Sequence, residues 1–328
     1  MTAKRPTLRL SILGGLADQP QPQTLIIFAE FQDNLVVERV QLIQQQVDGL
    51  TKKILNLRGY IEGEFPPFEE PSLKQFGGEL LDWVIRGKVK RLFDMATEQS
   101  MVASKKERSL PLEIFVEDFD IAGWPWEYLY DSANKMFICQ EFHPISRGIF
   151  TFIPRKAFPP KKGKVRILLV IAVPPDEPLT TPGEEVRLIE EVFERVSAKN
   201  VIEIIPLLAA SPSDLEGKIR SGNYDVVHFF GHGGFDTIKR EGYLNFKRSS
   251  TSHTRVYANI FGQMLAEHGI RLVFLNGCET ARSHQKEDPA RSSVAGALLD
   301  RGIPAVIANQ FSMIDNSSHY LSSTIYSA

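Results

Sequence analysis

The segment Val165–Val173 reads VRILLVIAV, a β-branched and aliphatic run in which Arg166 is the one polar residue. A strand of this kind has no wet face, so it is stable where helices cover its sheet on both sides, as in a central parallel strand. That requirement limits the fold more than any bulk property of the chain. Further apolar runs repeat it: VIEIIPLL (201–208), YDVVHFF (224–230), IRLVFLNG (270–277) and IPAVIANQF (303–311). Helical segments lie between them. Residues 181–196 carry Thr181 as N-cap, Pro182 at the first helical position and Glu184 completing a capping box, with Val186, Ile189, Phe193 and Val196 as the buried stripe. Residues 211–222, 257–269 (with Gly269 as C-cap) and 293–302 are the others, and GYLNF (242–246) reads as a short extra β element. Strands alternating with helices predict a mainly parallel sheet with right-handed crossovers and helices on both faces.

The alternation starts after IPRKAFPPKKGK (153–164), where three prolines and five basic residues break the composition. A boundary there divides the chain into a first half, 1–155, and a second, 164–328. In the first half LRLSIL (8–13), TLIIFAEF (24–31) and LPLEIFVEDF (110–119) read as strands, and GGELLDWVIRGKVKRLFDMAT (77–97) as one or two helices. The cluster Trp124, Trp126, Tyr128 reads as aromatic packing, assigned to the contact between the halves. A length of 328 residues suits two domains. The 38 basic and 40 acidic side chains are interspersed, which argues against a nucleic-acid surface or a polybasic membrane anchor. The N-terminus lacks the apolar core of a signal peptide, and no window approaches the ~18 apolar residues of a membrane span. A cytoplasmic protein is expected.

The chain has two cysteines, Cys139 and Cys278, too few for a disulfide scaffold and without zinc-site spacing. Cys139 reads as a core residue. Cys278 follows the fourth strand of the second half, and His232, in FGHGG, follows the third. Open parallel sheets bind ligands at the carboxyl ends of their strands, so both residues belong to one rim. Were the two strands neighbours, about 4.8 Å apart, the side chains would meet. A thiol beside an imidazole base is a nucleophile near neutral pH, and backbone N–H groups of Gly233 and Cys278 would suit a developing oxyanion. The His-to-Cys interval is near the ~50 residues found in caspases, although the caspase pentapeptide is absent. Each residue also has a plainer reading. Cys278 would then be a small buried side chain closing a strand, and His232 a turn residue. His228 reads as structural, since four residues along a strand span ~13 Å, too far to share an ion with His232. GHGG lacks the lysine and hydroxyl of a phosphate loop and the full dinucleotide fingerprint, which disfavours nucleotide binding.

DVVHFFGHGG, LVFLNGCETA and SVAGALLDRGIPAVIANQFSMID, in that order and spacing, resemble the CHAT family, caspase-like bacterial proteases related to separase. DIAGWPWEYLYD (120–131) resembles the Pro-Trp-Glu segment of the family's N-terminal half. The resemblance implies an α/β fold: a caspase-like three-layer sandwich with a mainly parallel central sheet, preceded by a degenerate protease-like α/β half in a supporting role. Residues 1–150 contain no Gly-His-Gly or Asn-Gly-Cys motif, in keeping with that role. It further implies a clan CD cysteine endopeptidase, with Cys278 as nucleophile, His232 as general base, and Gly233 and Cys278 forming the oxyanion hole. Asp315 becomes the counterpart of an acidic residue lining the first specificity pocket of separase-like relatives, which favours a basic residue before the cut. No metal or cofactor is implied. The implied partners are a protein substrate and a regulatory protein or sensor, in bacterial defence or cell death, with no direct nucleic acid and no membrane. Two departures stand out. Phe311 occupies a position where the family usually has tryptophan, and NSSHYLSSTIYSA ends sooner than the family's final helix, so either the chain is truncated or that helix is short. The alternative function is a catalytically inactive CHAT-like interaction module, against which the intact His232 and Cys278 argue.

Overall fold

The structure, a computed structural model, describes residues 6–14, 23–61, 70–102, 109–139, 143–150, 158–173, 187, 191, 201–278, 280–282, 292–310, 321, 322, 324 and 325. The chain divides into two compact units, Met1–Phe150 and Thr151–Ala328.

The first unit is built on β1 (Leu8–Leu13), β2 (Gln23–Phe31), β3 (Asn34–Leu42), α1 (Gln44–Ile61), α2 (Glu70–Val84), α3 (Gly87–Val102), β4 (Leu112–Val116), α4 (Phe119–Ala122), β5 (Tyr130–Asp131), β6 (Met136–Phe137) and β7 (Ile145–Gly148). Its main sheet has the order β3-β2-β1-β4-β7, antiparallel among the first three and parallel from β1 onward. Alternate residues of these strands, Leu8, Leu10, Ile12, Leu25, Ile27, Leu112 and Ile114, point one way into a core completed by α1, α2 and α3. That period of two fixes the buried face. The segment 77–97, read as one or two helices, falls in two, α2 and α3. Gly87 adopts a left-handed φ of 52°, which takes the chain off the helical path between them. Trp124 and Trp126 are 4 % and 1 % exposed and pack inside this same core, Trp124 tilted against both Trp83 and Trp126. Trp124 and Trp126 are therefore part of the core of the first unit, with Tyr128 packed against it.

The second unit carries β8 (Val165–Ala172), β9 (Ile202–Leu208), α5 (Pro212–Ser221), β10 (Val226–Gly231), β11 (Gly233–Asp236), β12 (Glu241–Lys247), β13 (His253–Tyr257), α6 (Ala258–Leu265), β14 (Leu272–Asn276), α7 (Val294–Asp300) and β15 (Ala305–Ala308). A parallel five-stranded sheet runs β15-β14-β10-β8-β9. Its order reverses between β8 and β10, the kind of crevice where open α/β sheets bind ligands. Leu168, Val170, Val227, Phe229, Val273 and Leu275 face α5, α6 and α7 on one side. Ile167, Leu169, Ile171 and Phe230 form a separate buried cluster on the other. Both faces are dry, as the VRILLVIAV run requires, and the result is an α/β sandwich with a parallel central sheet. Of the predicted helix over 181–196 only Arg187 and Glu191 are among the described residues; both are helical and they are ion-paired at 2.7 Å.

Ser211 starts α5 with a capping box, reciprocated by Asp214. The helix predicted over 257–269 stops at Leu265. Gly269 instead supplies a left-handed φ of 73° in the turn that enters β14. Among the described residues, no helix is long and apolar enough to cross a membrane.

Candidate active site

β10 and β14 are direct neighbours, in register from Val226 opposite Leu272 to Phe230 opposite Asn276. Two further residues along each strand, that register sets His232 opposite Cys278. Glycine lets the two chains stay together past the strand ends. A methyl group built on Gly277 would lie 2.8 Å from Gly231 O and 3.6 Å from Gly233 N. One on Gly233 would lie 2.8 Å from Cys278 O and 3.0 Å from Thr280 Cγ2, and one on Gly231 would lie 2.5 Å from Ala172 O. The backbone flanking His232 thus touches the backbone flanking Cys278 on one side and β8 on the other. Both His232 and Cys278 are half-buried.

His232 does not sit in a turn. It is the single residue between β10 and β11, where the chain leaves the parallel sheet and enters the antiparallel sheet β11-β12-β13. Its carbonyl accepts Asn245 N–H at 2.9 Å, so β12 holds the residue by its backbone. Antiparallel ladders alternate between bonded and non-bonded pairs. The next pair, Gly233 opposite Leu244, therefore turns the Gly233 N–H away from β12, toward the Gly277–Cys278 side.

The Cys278 loop is braced from β15. Asn309 Nδ2 donates to Gly277 O at 3.1 Å, and Asn309 N–H donates to Thr280 Oγ1 at 3.2 Å. The Thr280 hydroxyl, fully buried, lies 3.3 Å from Gly277 O and 3.5 Å from Leu275 O, while Ala281 N–H donates to Asn309 O at 2.8 Å. Sequence reasoning passed over Thr280, Asn309 and Asn245. Asn309 ends an apolar strand and Thr280 follows the cysteine closely, but neither position announces a bond that joins two strand ends.

His228 is fully buried and stacked on Phe274, with ring centroids 4.3 Å apart. Burial pushes its pKa down to about 3, so the ring is neutral scaffold, as its place inside a strand suggested. Cys139 is exposed, with its thiol donating to Glu127 O at 3.1 Å, and it is the preceding residue, Ile138, that enters the core. This corrects the reading of Cys139 as core. Asp315 and Phe311 lie outside the described residues.

The motifs and the fold have a family counterpart, since the CHAT domain matches residues 75–328. The chain belongs to the CHAT domain family. CHAT is a caspase-like domain related to the clan CD peptidases, and the parallel sheet with its flanking helices is the framework this relation implies. The CHAT match begins within α2 of the first unit, so it takes in the Trp124–Tyr128 segment as well as the second unit. No curated protein sequence matches the chain.

Proposed function

We propose that this CHAT protein is a cysteine endopeptidase. His232 takes the Cys278 proton as the sulfur attacks the scissile carbonyl, forming an S–C bond and an oxyanion that the N–H groups of Gly233 and Cys278 receive. The C–N bond then breaks, His232 returns the proton to the leaving amine, and water hydrolyses the thioester. The observation that carries this reading is the β10–β14 register, which sets positions 232 and 278 opposite each other at the carboxyl rim of the sheet. The Gly231, Gly233 and Gly277 approaches support it, because they bring the backbone flanking His232 against the backbone flanking Cys278.

On this reading the first unit supports the second, Asp315 favours a basic residue before the cut, and a regulatory partner or sensor controls the activity in a cytoplasmic defence or cell-death pathway. Treatment of the purified protein with electrophilic peptide probes ending in Arg, Leu or Asp tests it. We expect covalent labelling that is lost in Cys278→Ala and is strongest with Arg. Labelling that persists in Cys278→Ala sinks the nucleophile assignment, and equal labelling by all three probes removes the acidic pocket. Absence of labelling with or without cellular partners favours an inactive interaction module.

A further inference from the structure

We infer that Asn309 is a positioning residue that aims the Cys278 N–H into the oxyanion site, an inference that rests on the endopeptidase reading. β14 lies between β15 and β10. Asn309, just past the end of β15, holds Gly277 O with its side-chain amide at 3.1 Å. Gly277 C=O and Cys278 N–H belong to one peptide unit, which is planar and trans. Fixing the oxygen on the β15 side therefore sends the N–H to the opposite side, toward the continuation of β10, where His232 and Gly233 stand. The Gly233 N–H is turned to the same space by the β11–β12 ladder. Two donors thus converge from two different strands, and the Cys278 one is aimed from behind.

The bond does more than orient. Donation to a carbonyl polarises the peptide and makes its N–H a better donor, because hydrogen bonds in a chain reinforce one another. Thr280 extends the chain: its hydroxyl accepts Asn309 N–H at 3.2 Å and stands 3.3 Å from Gly277 O. Ala281 N–H returns to Asn309 O at 2.8 Å. Asn309 is therefore locked at its backbone on both sides, and its amide is held to one task.

An oxyanion donor matters when a tetrahedral adduct forms and is irrelevant to simple displacement at carbon. Two reagents separate those cases: peptide aldehydes ending in Arg, Leu or Asp, which add the Cys278 thiol to give an oxyanion, and iodoacetamide, which alkylates it without one. Removing a whole oxyanion donor costs ~10²–10³ in rate, so misaiming one should weaken aldehyde binding by about tenfold to a hundredfold in Asn309→Ala. Asn309→Asp, isosteric but unable to donate, should lose at least as much, and it keeps the test open if the alanine variant folds poorly. Alkylation of Cys278 and the melting temperature should stay near wild type in the variant that is read. Aldehyde affinity equal to wild type overturns the inference, as does a parallel fall in aldehyde binding and alkylation, which would mark a loosened loop. Failure of the wild-type protein to form any aldehyde adduct at Cys278 is a different result: it removes the endopeptidase reading, and the role of Asn309 with it.

Discussion

His228 and His232 are the same residue type four positions apart, and their surroundings separate them completely. The His228 ring is held near pKa 3 by burial, whereas an unfolded chain would carry an ordinary value near 6.5. Between those pH values the unfolded state binds a proton that the folded state refuses. Stability is therefore fully present above about pH 6.5 and falls as the pH drops toward 3, by up to ~1.4 kcal/mol per pH unit. Urea unfolding at pH 7 and pH 5 should show this loss for wild type and a smaller one for His228→Leu; the same loss in both would mean that another group titrates. The place of His228 was legible from the sequence because it lies inside an apolar run that reads as a buried strand, whereas His232 lies beyond the end of that run. Cys139 was not legible in this way. It abuts a buried residue, Ile138, and one step along a short irregular segment reverses a side chain's exposure.

Among the elements, β8, β10 and β14 were read almost to the residue, because an uninterrupted apolar run between turn signals has few other solutions. β3, α1, β11 and β13 are absent from the sequence reading. Their apolar residues stand among charges and glycines, and their pairing partners are settled by tertiary contacts such as Asn245 N–H on His232 O. The pairing of β10 with β14 was also not given by pattern, since neighbouring strands in sequence need not be neighbours in a sheet. Glycine substitutions test how tightly these elements meet. Gly231→Ala would place a methyl group 2.5 Å from Ala172 O, a backbone atom that cannot swing away. We expect a loss of ~1–3 kcal/mol in denaturant unfolding, together with loss of probe labelling at Cys278. Gly49→Ala in α1 meets nothing within 4 Å and should instead gain ~0.5–1 kcal/mol from helix propensity. A Gly231→Ala protein as stable as wild type would contradict the close approach of β10 to β8.

Over the whole molecule, the two units keep separate buried cores, one around β1, β2 and β4 and one around β8, β10 and β14. Asp225, 4 % exposed at the start of β10, ties the second core to the chain that leads into it. It pairs with Lys161 at 2.8 Å and Arg271 at 3.5 Å, and accepts Arg166 N–H at 3.0 Å. Asp225→Ala leaves two partly exposed cations and one N–H without their anion, at an expected cost of ~2–3 kcal/mol. Hydrogen exchange should quicken in β8, β10 and β14 and stay unchanged in β1, β2 and β4; equal quickening in both units would show that they open as one. The knot that Asp225 makes with Lys161, Arg166 and Arg271 was not legible, since its partners come from distant parts of the sequence. The register that sets His232 opposite Cys278 also has a consequence in time. The imidazole leaves the ribosome first, the thiol later and the Asn309 amide later still, and parallel pairing of β10, β14 and β15 waits for the crossovers between them. On the endopeptidase reading, a nascent chain carries each of these groups before it carries the geometry that would let them act together, and the proposed chemistry waits until synthesis has passed β15.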